Sequence, residues 1–475
     1  MTEQTNRRAS LTRAGVRVLA GAAGIAASVV VVTAVTTLPL PSSQAHAVSR
    51  SVTPVPATAT AACPGPLLQL GSDASTSAIS ALSTPQVVSG GAGAKPDAVD
   101  LSTTNVNPGG AAPRAYRQPA TDGGKEPLVA AAQTVTEKTA EVSGTAAANC
   151  VQPDFDQWLV GGATSLGATT LVILDNPGDV SATVAVQPYS EQGLAEAAGG
   201  TGIVVKPHSQ RVVPLAGLVP NASATVVHVT STGGTVSAQL QESEVSGVTP
   251  QGVEWVGPTA APAKKLVIPG ALFDGTALSA ATATDSGDGG VPVLRVLPVG
   301  TKDAKLSIGV KPASGKGAGT ALTASVGHGV VSEVPLEKAG KGTYTITVDS
   351  SEPIVASVHT STVVAKKGTD FTWYAAATPL KGAAAIPIGG GNATLHLTNT
   401  SSDAVTLTLE GKQSSTITVP ANGSASHAFT KPDVLRVPDA KGVVASVTFA
   451  SPGQLAAYVA YPTSASASAL TVYKR

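Results

Sequence analysis

The sequence is poor in aromatic and charged side chains. Aromatic residues make up 3% of the 475 residues and charged residues 13%, whereas 42% are hydrophobic. Because there is no basic stripe to neutralise phosphates, we expect no nucleic-acid partner. The apolar content is sufficient for buried cores, which excludes a chain that is disordered throughout.

Charged residues are absent from Val18 to Leu40, a run long enough to span a bilayer as a helix. Four arginines precede the run: Arg7, Arg8, Arg13 and Arg17. This pattern predicts an export signal over residues 1–47. Two outcomes stay open: cleavage between Ala47 and Val48, after a small-x-small motif, or retention of residues 18–40 as a membrane anchor. Either outcome places the remaining chain outside the cytoplasm, and we expect the membrane to be contacted only through this helix.

Cysteine is also scarce, with Cys63 and Cys150 alone in the chain. An even pair in an exported protein is most simply a disulfide. A reactive thiol or a metal-bound pair is the alternative, but neither cysteine has another Cys or a His at ligand spacing. We therefore predict a Cys63–Cys150 disulfide.

Motifs for catalysis are missing. The sequence contains no G-x-S-x-G and no S-x-x-K, and no histidine after residue 47 lies at metal-ligand spacing from another ligand. Paired carboxylates for glycoside hydrolysis need not be close in sequence. Six acidic residues are the candidates for such a pair: Asp154, Asp156, Glu242, Glu244, Glu254 and Asp370. Surface solvation is the simpler role, so we expect no catalytic residue, no metal and no cofactor.

What the sequence does contain is internal repetition. An apolar-x-Ala-x-apolar core occurs around Ala130, Ala238, Ala356 and Ala457. Upstream of the last three of these alanines, the sequence shows a strand, a polar turn and a second strand, with apolar residues at every second position. An example is LVILDNPGDVSATVAVQ, which begins at Leu171. Repeated short strands with one apolar face predict an all-β chain of tandem, immunoglobulin-like β-sandwich modules after the N-terminal helix.

The repeats suggest a division of the chain. We predict a Pro- and Thr-rich spacer over residues 48–62 and a degenerate, disulfide-closed module over residues 63–150. Three β-sandwich modules are expected to follow, over residues 151–252, 253–368 and 369–475.

The three tryptophans fall at similar places in this division. Trp255 and Trp373 each follow the repeated alanine by 17 residues, Trp158 follows Ala130 by 28, and Tyr473 follows Ala457 by 16. We expect each aromatic to lie on a strand that ends one module and packs against the next. The alternative is a row of exposed rings on Trp158, Trp255 and Trp373 on which sugars stack.

Several motifs resemble those of a known family. W-x-x-G-G at Trp158, L-x-N-P-G at Leu174, V-P-L-x-x-L at Val213 and CPGP at Cys63 are similar to those of secreted or membrane-anchored proteins of high-GC Gram-positive bacteria. That family is known only as a domain of unknown function. The resemblance implies a cell-envelope protein and associates it with surface glycans.

These observations favour a non-catalytic, extracytoplasmic scaffold or binding protein of the cell envelope. Its expected partners are cell-wall glycans or other envelope proteins. The alternative is a glycan-binding or glycan-processing protein with its site at a module junction near Trp255 or Trp373.

Overall fold

The computed structural model describes residues 49–52, 58–71, 78–91, 95–107, 110–120, 127–274, 290–315, 319–336, 339–364, 368–462 and 470–473. Throughout these ranges the chain is all-β, as the sequence predicts; the helical turns are two short 3-10 segments, Ala198–Gly200 and Leu215–Gly217. None of the described segments is a helix long and apolar enough to cross a membrane. The predicted signal or anchor and the Ala47–Val48 cleavage position lie outside the described residues.

The chain divides into two compact units. The smaller unit comprises residues 1–54 and 468–475, and its described part is an antiparallel pair formed by β1 (Ser49–Val52) and the C-terminal strand Leu470–Tyr473. Ser49 lies opposite Tyr473 in this pair. The expectation that Tyr473 closes the last repeat is therefore wrong, because its backbone pairs with β1 instead.

The larger unit comprises residues 55–467. Its first strands are β2 (Ala59–Ala62), β3 (Leu68–Leu70), β4 (Ile79–Ala81), β5 (Gln86–Gly91), β6 (Asp97–Asp100), β7 (Ser102–Thr103), β8 (Arg114–Gln118), β9 (Val129–Lys138) and β10 (Ser143–Asn149). The next are β11 (Asp156–Val160), β12 (Ala168–Asn176), β13 (Ala182–Ser190), β14 (Gly193–Leu194), β15 (Ile203–Val205), β16 (Ser209–Pro214), β17 (Thr225–Thr232), β18 (Ser237–Ser246) and β19 (Thr249–Val256).

The second half of the larger unit begins with β20 (Ala263–Phe273), β21 (Val293–Pro298), β22 (Ala304–Pro312), β23 (Thr320–Val326), β24 (Ser332–Pro335), β25 (Gly342–Val364) and β26 (Gly368–Ala375). It ends with β27 (Ala384–Ile388), β28 (Ala393–Asn399), β29 (Val405–Leu409), β30 (Ser415–Val419), β31 (Ser424–Phe429), β32 (Asp433–Val437), β33 (Val443–Ser451) and β34 (Gln454–Val459).

Four sheets share one arrangement. Their strand orders are β10-β9-β5 in the first sheet, β19-β18-β12-β16 in the second, β26-β25-β21-β24 in the third and β34-β33-β28-β31 in the fourth. Each sheet begins at the strand that comes last in sequence, and we call β10, β19, β26 and β34 the inner strands. The inner strands pack against one another. The four sheets therefore meet along one line.

This arrangement corrects the sequence repeat. Ala130, Ala238 and Ala356 lie on β9, β18 and β25, each next to an inner strand. The equivalent strand of the fourth sheet is β33, which carries Ala445, whereas Ala457 lies on the inner strand β34. The prediction was displaced by one strand because VVASV and QLAAYVA both match the apolar-x-Ala pattern.

Two of the inner strands lie at the predicted module boundaries. β19 crosses the predicted boundary between residues 252 and 253, and β26 starts at the boundary between 368 and 369. Both strands pair with the strand that precedes them, β18 and β25. Each inner strand therefore completes the sheet before it. β2, at the end of the predicted spacer, pairs with β8.

β23, β22 and β20 extend the third sheet through the first half of β25, and β7 extends the second sheet beyond β16. Separate sheets lie beside these four: β11-β17-β13 with β14 and β15, β27-β32, β29-β30, β2-β8-β6 and β3-β4. One hydrophobic cluster lies between the second sheet and β11-β17-β13, where Leu174 and Leu240 meet Val184 and Val227. Separate clusters occupy the third and fourth sheets with their neighbours. Each part of the larger unit therefore has its own core.

Strand β22 shows how the sequence selects these faces. Ala304, Leu306, Ile308 and Val310 are buried, while the intervening Lys305 and Lys311 are exposed. Side chains alternate between the two faces of a strand, so this period-two pattern sets one face against the core and the other toward solvent.

The structure contains the Cys63–Cys150 disulfide, as predicted. Both cysteines lie in a cluster of small residues that includes Ala59, Ala61 and Ala131. Alanines bury little apolar surface, so this cluster contributes less hydrophobic stabilisation than a core of Leu or Ile would. The covalent link offsets that deficit at the point where β2 and β9 approach one another.

We expect a Cys63→Ser, Cys150→Ser double variant to lower the free energy of unfolding by about 2–5 kcal/mol, because the disulfide closes a loop with a sequence separation of 87 residues. Urea unfolding followed by circular dichroism measures this. Reduced wild-type protein, with its sequence unchanged, is the control and should lose the same amount. A variant as stable as oxidised wild type would show that the alanine cluster is sufficient without the link.

Candidate functional site

The six acidic residues considered for catalysis separate into two groups. Glu242, Glu254 and Asp370 are at most 1% exposed, and they lie where the inner strands meet or on the strand beside them. The other three are more accessible. Asp154 accepts a hydrogen bond from the Phe155 amide, Asp156 lies 3.1 Å from His228, and Glu244 is half-buried. The structure thus brings three of the six together and leaves three apart.

Asp370, on β26, is bound by all four inner strands. Its Oδ2 accepts hydrogen bonds from the amides of Thr145 on β10 (2.8 Å) and Leu455 on β34 (3.0 Å). Its Oδ1 accepts one from the adjacent Phe371 amide (3.1 Å), and the Val253 amide of β19 also donates to this carboxylate. Burial raises the pKa of Asp370 to about 8, and the four backbone donors oppose that rise.

Glu254, on β19, is bound in the same way, two residues further along the inner strands. We call the two positions along the shared line levels. Its Oε1 accepts hydrogen bonds from the amides of Ala147 (3.0 Å) and Trp255 (2.9 Å). Its Oε2 accepts from the Ala457 amide (3.1 Å) and the Thr372 hydroxyl (2.5 Å). These donors again come from all four inner strands. Burial raises the pKa of Glu254 well above its ordinary value, against the effect of the four hydrogen bonds.

The two levels show that the inner strands run in the same direction. The amide donors to Asp370 belong to residues 145, 253, 371 and 455, and the backbone donors to Glu254 lie two residues later on β10, β19 and β34. Amides two residues apart on a strand point to the same side. Each inner strand is the edge of its sheet, and the amides that would otherwise have no partner there point to the shared line.

Small residues make room for each carboxylate. Gly144 and Gly252 hold the position on β10 and β19 that Asp370 holds on β26, one residue before the donor. A Cβ atom at Gly144 would lie 2.5 Å from Asp370 Oδ1, and one at Gly252 would lie 2.9 Å from it. At the level of Glu254, the corresponding residues are Ala146, Thr372 and Ala456. Each of the two levels therefore contains one acid and three small or polar neighbours, and Gln454 is the large one among them, beside Asp370.

Glu242 belongs to a network that joins the second and third sheets. Its Oε2 accepts hydrogen bonds from the Gly162 amide (3.0 Å) and Trp373 Nε1 (2.7 Å). The guanidinium of Arg295, on β21, lies 4.4 Å from the Trp373 ring and donates to the Gly162 carbonyl (2.6 Å) and to Glu333 (2.8 Å). Burial raises the pKa of Glu242, while Arg295 opposes the rise.

The tryptophans are buried rather than exposed. Trp158, Trp255 and Trp373 have exposed fractions of 8%, 2% and 4%. Trp255 packs with Ala146 of β10, and Trp373 packs into the cluster beneath the second sheet. Both rings thus contact parts of the chain that precede them, and both also line a small cavity with Ala457 and Tyr461, which follow them. None of the three offers an open face on which a sugar could stack.

Trp158 differs from the other two. It lies on β11, outside the inner strands, and stacks on His228 with ring centroids 3.9 Å apart. The residue on β10 that corresponds to Trp255 and Trp373 is Ala147, 17 residues after Ala130. Sequence spacing missed this because alanine gives no signal in an alanine-rich segment.

Sequence reasoning also missed Arg295 and Asp175. Arg295 is the charged residue of the apolar stretch VPVLRVLPV, and this contrast was an available signal. Asp175, on β12, is 1% exposed; its Oδ1 accepts a hydrogen bond from Gln210 Nε2 (2.9 Å), while its Oδ2 has no partner among the described residues. Burial raises the pKa of Asp175 to about 7. Nothing in LVILDNPG distinguishes this aspartate from a turn residue.

His359 lies 4.8 Å from the Trp373 ring, and burial with the nearby Arg295 lowers its pKa to about 3. In the parts of the chain that the structure describes, no three His, Cys, Asp or Glu side chains are grouped so that they could hold a metal ion.

The buried carboxylates are suited to joining strands rather than to proton transfer. A general acid or base must reach a substrate atom within hydrogen-bond distance. Asp370 and Glu254 are 0% exposed, and protein donors occupy both oxygens of each. The arrangement can therefore fix the four inner strands relative to one another, and it leaves no open position for a reacting group.

Comparison with known proteins gives a family but no activity. A family model described as a family of unknown function (DUF5719) matches residues 104–430. None of the curated proteins matches. Among solved structures, the chain is similar to one described as "Crystal Structure of Thermotoga maritima 1070", with 15% sequence identity and a TM-score of 0.20. That match covers 24% of this chain and 92% of the other.

We expect Asp370→Asn and Glu254→Gln each to lower the free energy of unfolding by about 2–4 kcal/mol, because an amide NH₂ cannot accept the backbone hydrogen bonds that one carboxylate oxygen receives. Urea unfolding at pH 9, above the pKa of about 8 of Asp370, measures the loss. Asp156→Asn, at an exposed acid, is the matched control and should change the value by less than about 0.5 kcal/mol. Equal effects at all three positions would contradict a joining role for the buried pair.

Asp175 should make stability depend on pH. An unfolded chain releases this proton near the ordinary aspartate pKa of 3.8, whereas burial raises the pKa of Asp175 in the folded chain to about 7. The contribution of Asp175 is therefore complete below pH 4 and is lost as the pH rises through 7, a decrease of about 4 kcal/mol. Urea unfolding at pH 4, 6 and 8 measures it.

The Asp175→Asn variant should have a flatter pH profile and exceed wild type in stability at pH 8, because its amide is uncharged and can donate to the unpaired Gln210 Oε1. Asp97→Asn, an exposed acid on β6, should keep the wild-type profile. Parallel profiles for wild type and Asp175→Asn would show that Asp175 does not carry the dependence.

Proposed function

We propose that this chain, which belongs to the DUF5719 family of unknown function, is a non-catalytic, extracytoplasmic scaffold or binding protein of the cell envelope. Its body consists of repeated, immunoglobulin-like β-sandwich modules held together along their inner strands. The single observation that carries the proposal is that Asp370 and Glu254 each accept hydrogen bonds from all four inner strands.

Such bridging favours a rigid body over a flexible string of modules. Tandem modules joined only by linkers move independently unless their interfaces are large and apolar. Here the interfaces contain the buried tryptophans Trp255 and Trp373 together with the hydrogen-bonded carboxylates. Residues far apart in sequence, such as Ala147 and Ala457, thereby bind the same side chain.

A non-catalytic role is supported by the fate of the acidic residues. The three acids that come together are buried, and protein groups donate hydrogen bonds to their carboxylates. Asp154 and Asp156 lie at the surface, away from these three. An extracytoplasmic location is supported by the Arg-rich N-terminus, the uncharged run 18–40 and the disulfide.

The glycan-binding alternative requires another surface than the one first considered. With Trp255 and Trp373 buried, sugar stacking at those rings would need the inner strands to separate. Partners of the scaffold are proposed to be other envelope proteins or wall glycans bound at grooves between the sheets.

We expect the exported part, residues 48–475, to unfold in one cooperative transition, since the shared carboxylates link all four sheets. Calorimetry and tryptophan fluorescence should give coincident midpoints, and Asp370→Asn should shift both together. Separate transitions for separate modules would contradict the rigid body.

Turnover of any cell-wall fragment by the pure protein would contradict the non-catalytic role. If trace activity is found, the Asp156→Asn variant, which changes an exposed acid, is the control.

A further inference from the structure

A cavity of about 640 Å³ lies between β25 and the fourth sheet. His396 on β28, Ser426 on β31 and Tyr344 on β25 are on its wall. His396 and Ser426 are directly opposite each other in the β28–β31 pair, so their side chains emerge on the same face. The cavity is separate from the buried carboxylates and from the three tryptophans.

His396 is fixed in place but lacks a hydrogen-bond partner. It is 5% exposed, and its ring packs so closely on Gly270 that a Cβ there would lie 2.5 Å from the ring carbon Cγ. Its Nδ1 is enclosed by protein and has no hydrogen-bond partner within the described part of the chain, whereas Nε2 is not enclosed in this way. A ligand in the cavity would therefore be hydrogen-bonded through Nε2.

The wall suits a ligand rich in hydroxyl groups and without charge. Burial lowers the pKa of His396 to about 4, so its imidazole is neutral at neutral pH. Lys341, at the rim, is paired with Asp274 (3.6 Å). Most other polar groups on the wall are hydroxyls or amides: Ser314, Thr343, Tyr344, Asn392, Thr394, Ser426 and Thr448. Hydroxyls and a neutral imidazole both donate and accept hydrogen bonds, as the hydroxyls of a sugar do.

Tyr344 adds an aromatic surface. Its half-buried ring lies 4.8 Å from the ring of Phe273, and its hydroxyl donates to the Gly340 carbonyl (2.9 Å). These contacts hold the ring at the cavity, where it can cover the apolar face of a sugar ring.

Neighbouring cavities extend this one in two directions. A cavity of about 410 Å³ shares Asn392 and Ala450 with it. Another of about 800 Å³ shares Pro312 and Ser314 with it. The three cavities adjoin one another along the fourth sheet, and we call them the furrow; His396 lies in the central one. The outer two also have charged residues on their walls, Glu137 in the first and Lys265, Lys311 and Asp349 in the other. A row of adjoining cavities fits a linear polymer better than a compact small molecule.

We propose that this furrow binds an uncharged, linear polysaccharide, with His396 and the surrounding hydroxyls forming hydrogen bonds to sugar hydroxyls and Tyr344 covering one sugar ring. This site rests on the envelope-binding role proposed above and adds to it a binding position and a ligand class. It does not depend on the rigidity of the four sheets.

Native affinity electrophoresis tests the proposal. The exported part is run through gels that contain dextran, mannan or galactomannan as neutral polymers, polygalacturonate as an acidic polymer, or denatured casein as a polypeptide. We expect at least one neutral polymer to retard the wild-type protein. His396→Ala and Ser426→Arg should weaken that binding at least tenfold. Ser426 is exposed, so the Arg side chain can block the furrow without disturbing a core.

His427→Ala is the matched control, because His427 lies next to Ser426 on β31 and packs against Phe429 instead of lining the furrow. It should bind like wild type. Circular dichroism confirms the fold of each variant, and Ser426→Arg alone decides the result if His396→Ala fails to fold. Retardation only by polygalacturonate or casein, retardation by none of the polymers, or unchanged binding in Ser426→Arg would each overturn the proposal. One cooperative unfolding transition together with any of these results would leave the scaffold role standing.

Discussion

The exposed edge of a β-sheet presents a row of amides without partners, and four such edges meet inside this protein. In the larger unit the amides of β10, β19, β26 and β34 point to a common line in the interior, where each needs a hydrogen-bond acceptor. Asp370 and Glu254 satisfy them, four donors to each carboxylate. The positions of the four sheets and the burial of Trp255 and Trp373 both depend on this meeting of edges.

The secondary structure was accessible from sequence because it depends on local pattern. Alternation in β22, the hairpin signals and the even cysteine count are properties of short segments or of composition, and they predicted strands, an all-β chain and the disulfide. The placement of the repeat failed at Ala457, where two neighbouring strands carry the same Ala-rich pattern and only their pairing distinguishes them.

The buried carboxylates were singled out for the wrong property. The sequence offers Glu242, Glu254 and Asp370 as candidate acids for hydrolysis. Their roles in the structure follow instead from hydrogen-bond donors more than 70 residues away in sequence. Asp175 and His396 gave no signal at all. Burial is a property of the assembled sheets, and a sequence of one chain does not report which acid or imidazole lies beneath another segment.

Gly144, Gly252 and Asp370 hold equivalent positions, and this limits how the repeats of the chain can be exchanged. A copy that kept its own acid at every level would place like charges together on the shared line. Gly144 and Gly252 leave the space that one acid fills, so the copies are complementary parts and not interchangeable units. Such a protein cannot grow or shrink by one repeat, as an open solenoid can, without losing the single acid that its neighbours require.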